Sequence, residues 1–444
     1  MSRDMAASKL RTHIDELSSN ISDLINQRVQ ARRELNHLLD PMARLPLELQ
    51  SHIFLCVEHK LNAERKADPN DVPLVFLSVC HLWHVIALST PKLWTEITID
   101  SLPRSANYVT LRRKWMERAG KLPLSLSLGG FSDPNDTAFD DLVKRHQDQV
   151  QSLTLRWKLF SRPHPHNGKQ PIHLQGYFPS LRRLAIHGGG DDIYASEDVL
   201  EVLRAAPKVS YCQIFEVYCD EDDNPENFLD SSSLPLTLPL LEELRLGVHE
   251  PDAFLRNSGA GAAILKYLRL PALRKLSLTV LDIDDDDIVS FFTRSSPPLE
   301  LLSLSVEHDW PRAVVKRCLR LLPTVTALQL CSRANDYLCF VEVLGTSFEI
   351  LPNLRELSLS TLCTATIDYT ALIHALTARR ASPLKQLAVY LYPVEWDDNA
   401  HRGPISPQAT ALPDGAAKFA LQRFVKEGME IFVGFGQTNL VKFE

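Results

Sequence analysis

The 444-residue sequence predicts an α/β protein in which an N-terminal helical arm and a small three-helix module precede a long run of strand-plus-helix units. Three observations carry that reading. Apolar residues step by four and three along residues 10–38. Residues 45–97 form a dense apolar stretch, LPLELQSHIFLCVEH, followed after a polar gap by VPLVFLSVCHLWHVIALSTPKLWTEI. From residue 121 onward a short apolar phrase returns about every thirty residues, with helical patterns between its occurrences.

Composition bounds the function classes. The apolar share of 45% and charged share of 23% are those of an ordinary soluble chain. A net charge of −7 with no Lys/Arg run argues against a dedicated nucleic-acid or anionic-membrane surface, so neither partner is expected. The first residues, MSRDMAASKLRTHIDEL, carry charge where a signal peptide needs an apolar core, and no apolar run reaches the length of a membrane span. The eight cysteines are scattered without a C-x-x-C pair and mostly lie among apolar neighbours, which predicts buried free thiols in a reducing compartment. A cytoplasmic or nuclear location is expected.

Within residues 1–40 the apolar positions are Leu10, Ile14, Leu17, Ile21, Leu24, Ala31, Leu35 and Leu38, with Arg28 interrupting the seam. That is about four heptads, which predicts either a coiled-coil arm that forms a homodimer or an amphipathic helix lying back on its own chain. Asp40-Pro41 ends it, because the residue before proline is driven out of the α region.

Residues 41–100 form the module. Pro46 suits the first turn of a helix, where its missing N–H costs nothing. Leu45, Leu49, Ile53 and Val57 recur every four residues with Phe54 beside them. A polar loop containing Asp68-Pro69-Asn70-Asp71 follows, and Pro73 restarts the helical pattern, with Val79, Trp83 and Ile86 on one face. A unit this small cannot bury both of its apolar sides, so part of Leu45, Pro46, Ile53, Val79, Trp83 and Trp94 must pack on another domain or protein.

The combination of Leu45-Pro46-Leu47-Glu48, Ile53-Phe54, Leu77-Ser78-Val79-Cys80, Trp83 and Pro91-Lys92-Leu93-Trp94 resembles the F-box family. The resemblance covers about fifty residues. It implies a module that docks on the Skp adaptor of a cullin-RING ubiquitin ligase, with Leu45, Pro46, Ile53, Val79, Trp83 and Trp94 as the adaptor-binding residues. His81 and His84 stand where members of the family often carry arginines.

Residues 101–120 read as a linker helix with Tyr108, Leu111, Trp115 and Ala119 on one side, closed by Gly120. In residues 121–395 the recurring phrase has apolar residues at its first, fourth and sixth positions, from Val150-Leu153-Leu155 to Leu384-Leu387-Val389. Successive first positions are 31, 28, 32, 32, 26, 26, 29 and 30 residues apart. Most phrases follow a proline, and helical patterns such as DVLEVLRAA, DDIVSFFTR, AVVKRCLRLL and YTALIHALTARR lie between them. The array resembles a leucine-rich-repeat solenoid, irregular because the usual Asn or Cys ladder after each strand is missing. Residues 396–444 read as a polar loop, a helix over 416–426 and a strand over 430–435, which together would cap the last repeat.

No catalytic constellation is present: there is no G-x-S-x-G, no H-E-x-x-H and no Cys/His nucleophile context. The acidic run Asp282, Asp284, Asp285, Asp286 and Asp287 lacks the Gly and Glu that a calcium loop needs, and reads as a helix cap. Asp220-Glu221-Asp222-Asp223 reads as a solvated loop. Gly188-Gly189-Gly190 lacks a following Lys-Ser/Thr, and His164, His166 and His173 lack zinc-spaced partners. The expectation is a non-enzyme without cofactor or metal.

A surface remains as the second candidate site. Alternation along a strand puts the residues between the apolar positions on the open face of the sheet. That rule selects Arg156, Arg183, His187, Tyr211, Phe215, Arg245 and Lys275 as target-binding residues, with the basic ones forming a band suited to an acidic or phosphorylated segment. The expected function is a substrate-recognition adaptor that joins a Skp-type adaptor, and through it a cullin, to a protein target. The alternative is a non-ligase scaffold dimerising through the N-terminal helix.

Overall fold

The computed structural model describes residues 3–63, 71–99, 106–129, 143–156, 177–187, 196–215, 235–247, 261–280, 285–306, 310–332, 337–362, 365–392, 412–436 and 438–441. The chain is α/β, with a large, mostly parallel sheet, and divides into two compact units, Met1–Ser127 and Leu128–Glu444. Asp282, Asp284, the 188–190 glycines, the 220–223 run, His164, His166, His173 and most of the 396–415 loop lie outside the described residues.

In the first unit, α1 (Arg3–Leu39) is one continuous 37-residue helix. Its seam does not lie back on the chain: Leu10, Ile14, Leu17, Ile21, Leu24, Leu35 and Leu38 are all 47–70% exposed. Asp40 leaves the helix with extended backbone, and its Oδ1 accepts from the Met42 amide at 2.9 Å, opening a 3-10 turn over Pro41–Arg44.

Helix α2 (Leu47–Ala63) turns its apolar stripe outward. Leu49, Ile53 and Val57 face solvent, and the buried pair is Gln50 and Phe54. The Gln50 amide makes this possible by donating to the carbonyls of Met42 and Leu45, each at 2.7 Å. The pattern restarted by Pro73 is two helices, α3 (Asp71–Val79) and α4 (His81–Leu88). Cys80 breaks it with φ −156° and ψ 170°, its Sγ accepting from the Trp83 amide at 3.5 Å. Val79 therefore does not share a face with Trp83 and is 52% exposed.

A 3-10 turn (Pro91–Trp94), β1 (Glu96–Ile99), α5 (Ala106–Ala119) and β2 (Leu124–Gly129) follow, with β1 and β2 neighbours in the sheet. The expected linker helix α5 is part of the core: Trp115, Met116 and Ala119 are buried, while Leu111 is exposed. Trp115 meets Trp94 edge to face at 4.9 Å, the geometry aromatic rings prefer.

The second unit is built on the repeated phrase. Its strands are β3 (Val150–Arg156), β4 (Arg183–His187), β5 (Tyr211–Phe215), β6 (Leu236–Thr237), β7 (Glu243–Gly247), β8 (Leu268–Arg269), β9 (Lys275–Val280), β10 (Leu301–Val306), β11 (Ala327–Ser332), β12 (Glu356–Leu362), β13 (Gln386–Tyr392), β14 (Glu430–Phe435) and β15 (Thr438–Asn439). β6 and β8 form a separate parallel pair. The others run in the order β3-β4-β5-β7-β9-β10-β11-β12-β13-β14-β15, parallel except for β14 with β15.

Register follows from the phrase. Leu153, Leu184, Cys212, Leu244, Leu276, Leu302, Leu328, Leu357, Leu387 and Ile431 stand in one column, each opposite the next. Leu155, Ile186, Ile214, Leu246, Leu278, Leu304, Leu330, Leu359, Val389 and Val433 form a second. All of these side chains are buried, as are the first phrase positions from Val150 to Leu384.

Helices bury their apolar stripes in this core: Ser196–Arg204, Asp285–Ser295, Arg312–Arg320, Leu338–Thr346, Tyr369–Ala378 and Gly415–Lys426. The last two start where carboxylates cap them, Asp368 accepting from Thr370 and Ala371, and Asp414 from Ala417.

Two polar side chains hold the C-terminal part. Arg379 is 2% exposed, and its guanidinium donates to the carbonyls of Leu344, Ile350 and Leu351, including Nε to Leu344 at 3.1 Å. The Leu344 and Ile350 carbonyls lie at and beyond the end of the Leu338–Thr346 helix, where a cation is favoured, while that of Leu351 also accepts from the Leu354 amide at 3.1 Å. Leu351 there has a φ of 50°, a conformation costly for a side chain with a Cβ. Burial pushes the Arg379 pKa down to about 10, which still leaves it charged at neutral pH. At the sheet edge, Asn439 donates to the Ile431 carbonyl at 2.8 Å and accepts from the amides of Val433 and Val441 at 3.2 and 3.1 Å. It thereby occupies backbone groups of β14 that an open edge would offer to another chain.

Two outcomes follow for stability. Arg379→Met, which removes the donor to the Leu344 and Ile350 carbonyls, is expected to cost about 3 kcal/mol and to accelerate hydrogen exchange in residues 338–351 selectively. Asn439→Ala is expected to cost about 2 kcal/mol in thermal unfolding and to raise light scattering on heating, because the β14 edge is uncovered.

Candidate functional site

Two surfaces collect the residues singled out by sequence. The first is on the helical module. Phe54, Phe76 and Trp83 form its aromatic centre, with Phe54 stacked on Phe76 at 4.1 Å and tilted against Trp83 at 5.1 Å. The Trp83 indole N–H donates to Asp40 Oδ2 at 2.9 Å, so the residue that ends the arm also fixes the tryptophan of α4. A hydrogen bond to a charged acceptor is among the stronger kinds. His84 Nδ1 lies 3.1 Å from the Leu77 carbonyl and tethers α4 to α3, while His81 is exposed.

The six adaptor-binding candidates divide between two roles. Trp94 is fully buried, its indole N–H donates to the Ala87 carbonyl at 2.8 Å, and the Arg118 guanidinium lies 4.5 Å from its ring centre. It is a core residue and has no surface to offer. Trp83 is half-buried and held from behind. Leu45, Pro46, Ile53 and Val79 are exposed, and so are Leu47, Leu49, Val57 and Val75, which sequence reasoning did not select. The signal that bears on them is Gln50, whose side-chain amide turns inward and donates to the Met42 and Leu45 carbonyls before α2.

The second surface is the solvent-facing side of the strands in the Leu128–Glu444 unit. All seven target-binding candidates fall on it in three rows: Arg183, Tyr211 and Lys275; Arg245; and Arg156, His187 and Phe215. They do not form a free basic band. Glu243 sits between Tyr211 and Lys275 in the first row, with its carboxylate 2.6 Å from Arg245 Nη2 and 3.7 Å from Lys275 Nζ. Arg245 also lies 5.7 Å from the Tyr211 ring centre, and the Tyr211 hydroxyl donates to Gln213 Oε1 at 2.5 Å. Burial is the main cause raising the Tyr211 pKa.

Phe215 is corrected outright, being only 5% exposed beneath the edge of His187 at 5.6 Å. The next residue in its row, Gly247, has φ +113°, and a Cβ there would lie 2.1 Å from Thr279 Oγ1. The strands thus close up at that end of the row and shut the phenylalanine in. Arg156 and Arg183 make no ion pair among the described residues.

A depression of about 370 Å³ opens further along the same face, over β11 to β14. Its floor is one row, Gln329, Ser358, Ala388 and Phe432, in which small side chains stand beside an aromatic one. Tyr390 leans on Phe432 at 5.2 Å, and Glu356, Gln386 and Glu430 line the adjoining row, with Gln386 donating to Glu430 at 2.6 Å. Such a site can receive an apolar side chain flanked by a cation. Applied to the last phrase, Leu384-Leu387-Val389, the alternation rule also places Gln386 and Tyr390 on this face. What it did not supply is the run of small residues, which matters only once the strands are in register.

Two of the described thiols are held in the protonated, poorly nucleophilic form. Cys212 is buried in the first leucine column, and burial pushes its pKa up to about 12; Cys331 is raised to about 12 by the same cause. Cys318 is also buried, but Cys56 is exposed on the outer side of α2, contrary to the expectation of generally buried thiols; Cys219 and Cys363 lie outside the described residues. Among the described residues no three His, Cys, Asp or Glu side chains gather as a metal site, and no helix is long and apolar enough to cross a membrane.

With a pKa near 12 the Cys212 thiolate fraction at pH 8 is on the order of 10⁻⁴. Brief alkylation of the native protein with iodoacetamide at that pH should modify Cys56 and spare Cys212 until denaturant is added, as read by peptide mass spectrometry. Equal labelling of the two would contradict the burial described above.

No protein-family model matches the chain, and no curated protein matches it.

Proposed function

We propose that the chain is a substrate-recognition subunit of a Skp-cullin ubiquitin ligase, whose F-box-like module holds the Skp-type adaptor while the leucine-rich-repeat-like strand face receives a protein target. It carries out no chemistry itself and acts by raising the target's effective concentration beside the ligase. The observation that supports the reading most is the division of the family-pattern residues. Phe54 and Trp94 serve the module's own core, while Leu45, Pro46, Ile53 and Val79 remain on its surface. An apolar cluster of that kind on a folded unit needs a partner. On the strand face, the Tyr390–Phe432 depression between Glu356 and Glu430 suits an apolar and basic target segment better than the acidic one expected from composition of the first strands.

The test is retention of a recombinant Skp adaptor by the full chain. Ile53→Asp combined with Val79→Asp alters only exposed positions, and should weaken retention by more than about tenfold with an unchanged circular dichroism spectrum and melting temperature. Failure of the wild-type chain to retain the adaptor, or equal retention by the double variant, sinks the proposal.

A further inference from the structure

Among the described residues nothing covers the seam of α1. Its exposed residues fall at alternating core positions of a heptad repeat, a and d. Ile14, Ile21, Arg28 and Leu35 take position a; Leu10, Leu17, Leu24, Ala31 and Leu38 take position d. The stripe from Leu10 to Leu38 is about 42 Å long, comfortably above the length at which a heptad pattern specifies a coiled coil. β-Branched residues at a with leucine at d are the combination that favours two parallel strands.

From these positions we infer that α1 pairs with α1 of a second copy of this chain as a parallel, in-register, two-stranded coiled coil, with Arg28 setting the register. The inference rests on α1 alone and goes beyond the adaptor reading. In register, the two Arg28 side chains share a single layer, next to the Ala31 layer, where small side chains leave room for the guanidinium groups to reach water. A shift by one heptad places Arg28 against Ile21 or Leu35, and an antiparallel arrangement places it against a leucine, in two layers each time. A lone polar residue at a selects against such alternatives at a cost in stability. The flanking g and e positions agree. In the parallel pair Gln27 faces Arg32, Glu34 faces Leu39, Asn20 faces Ile25 and His13 faces Ser18, so no like charges oppose one another.

The experiment uses the full chain of 50.1 kDa in analytical ultracentrifugation at micromolar concentration. The wild type should sediment as a dimer. Leu17→Asp with Leu24→Asp should weaken association by at least about a hundredfold, and Arg28→Ile should strengthen it by roughly tenfold. Orientation is read by disulfide trapping. Leu24→Cys should give a covalent dimer linked through the substituted positions. A mixture of Ile14→Cys and Leu38→Cys chains should not cross-link at those positions, which lie about 36 Å apart in the parallel pair. A monomeric wild type, or efficient cross-linking of the mixed pair, overturns the inference. Adaptor retention by the Leu17→Asp, Leu24→Asp chain should match the wild type, so failure of the dimer and failure of the adaptor reading are told apart.

Discussion

The parallel strands of the Leu128–Glu444 unit depend on a single constraint: every strand must turn its fourth and sixth phrase residues to the same side as its neighbours do. Side chains alternate along a strand, so a slip of one residue would expose leucines of both columns and bury the polar face. Backbone hydrogen bonds fix the register before the strands begin. Ser210 and Tyr211 both donate to the Arg182 carbonyl, Arg274 and Lys275 to Glu242, Thr326 and Ala327 to Glu300, and Lys385 and Gln386 to Arg355. The spacing between phrases can then vary from 26 to 32 residues, because the variation is taken up on the helical side and in the connections. Cys212 shows how little the column asks of each member: a small apolar thiol stands where its neighbours are leucines, and remains fully buried.

That regularity made the second unit legible in the sequence. The phrase marks the strands and both columns, since an apolar pattern of period two leaves one choice of inward face. The helices were legible for the complementary reason. DDIVSFFTR and YTALIHALTARR carry their own stripe, and Asp368 supplies a start signal that capping chemistry explains. What was not legible depends on pairing between repeats. Glu243 neutralises Arg245 and Lys275 only because three strands bring it beside them, and the depression at Ser358 and Ala388 exists only because two small residues from different repeats stand in one row.

In the module, the rotation of α2 was not legible for a different reason. Hydrophobic spacing identifies Leu49, Ile53 and Val57 as a stripe but carries no information about which way a short helix turns. Polar residues mark the inner side: Gln50 donates to the carbonyls of Met42 and Leu45, and Thr90 fills a similar inner place by donating to the Ile86 carbonyl at 2.7 Å. The break at Cys80 has the same character, since a thiol is a weak cap that sequence reasoning gives no weight.

Asp40 joins the two surfaces for which partners are proposed. One oxygen opens the turn that ends α1, and the other holds the Trp83 indole against Phe54 and Phe76. The exposed residues on either side of that junction are of different kinds. Those of α1 repeat every three and four residues along a straight helix, so the stripe can complement a copy of itself. Those of the module are a short row on α2, stepping by four, together with Val75 and Val79 from α3 and flanked by Pro46. A patch drawn from two helices and a proline suits a differently shaped surface from a heptad stripe, so the proposed adaptor contact and the proposed self-association draw on different residues.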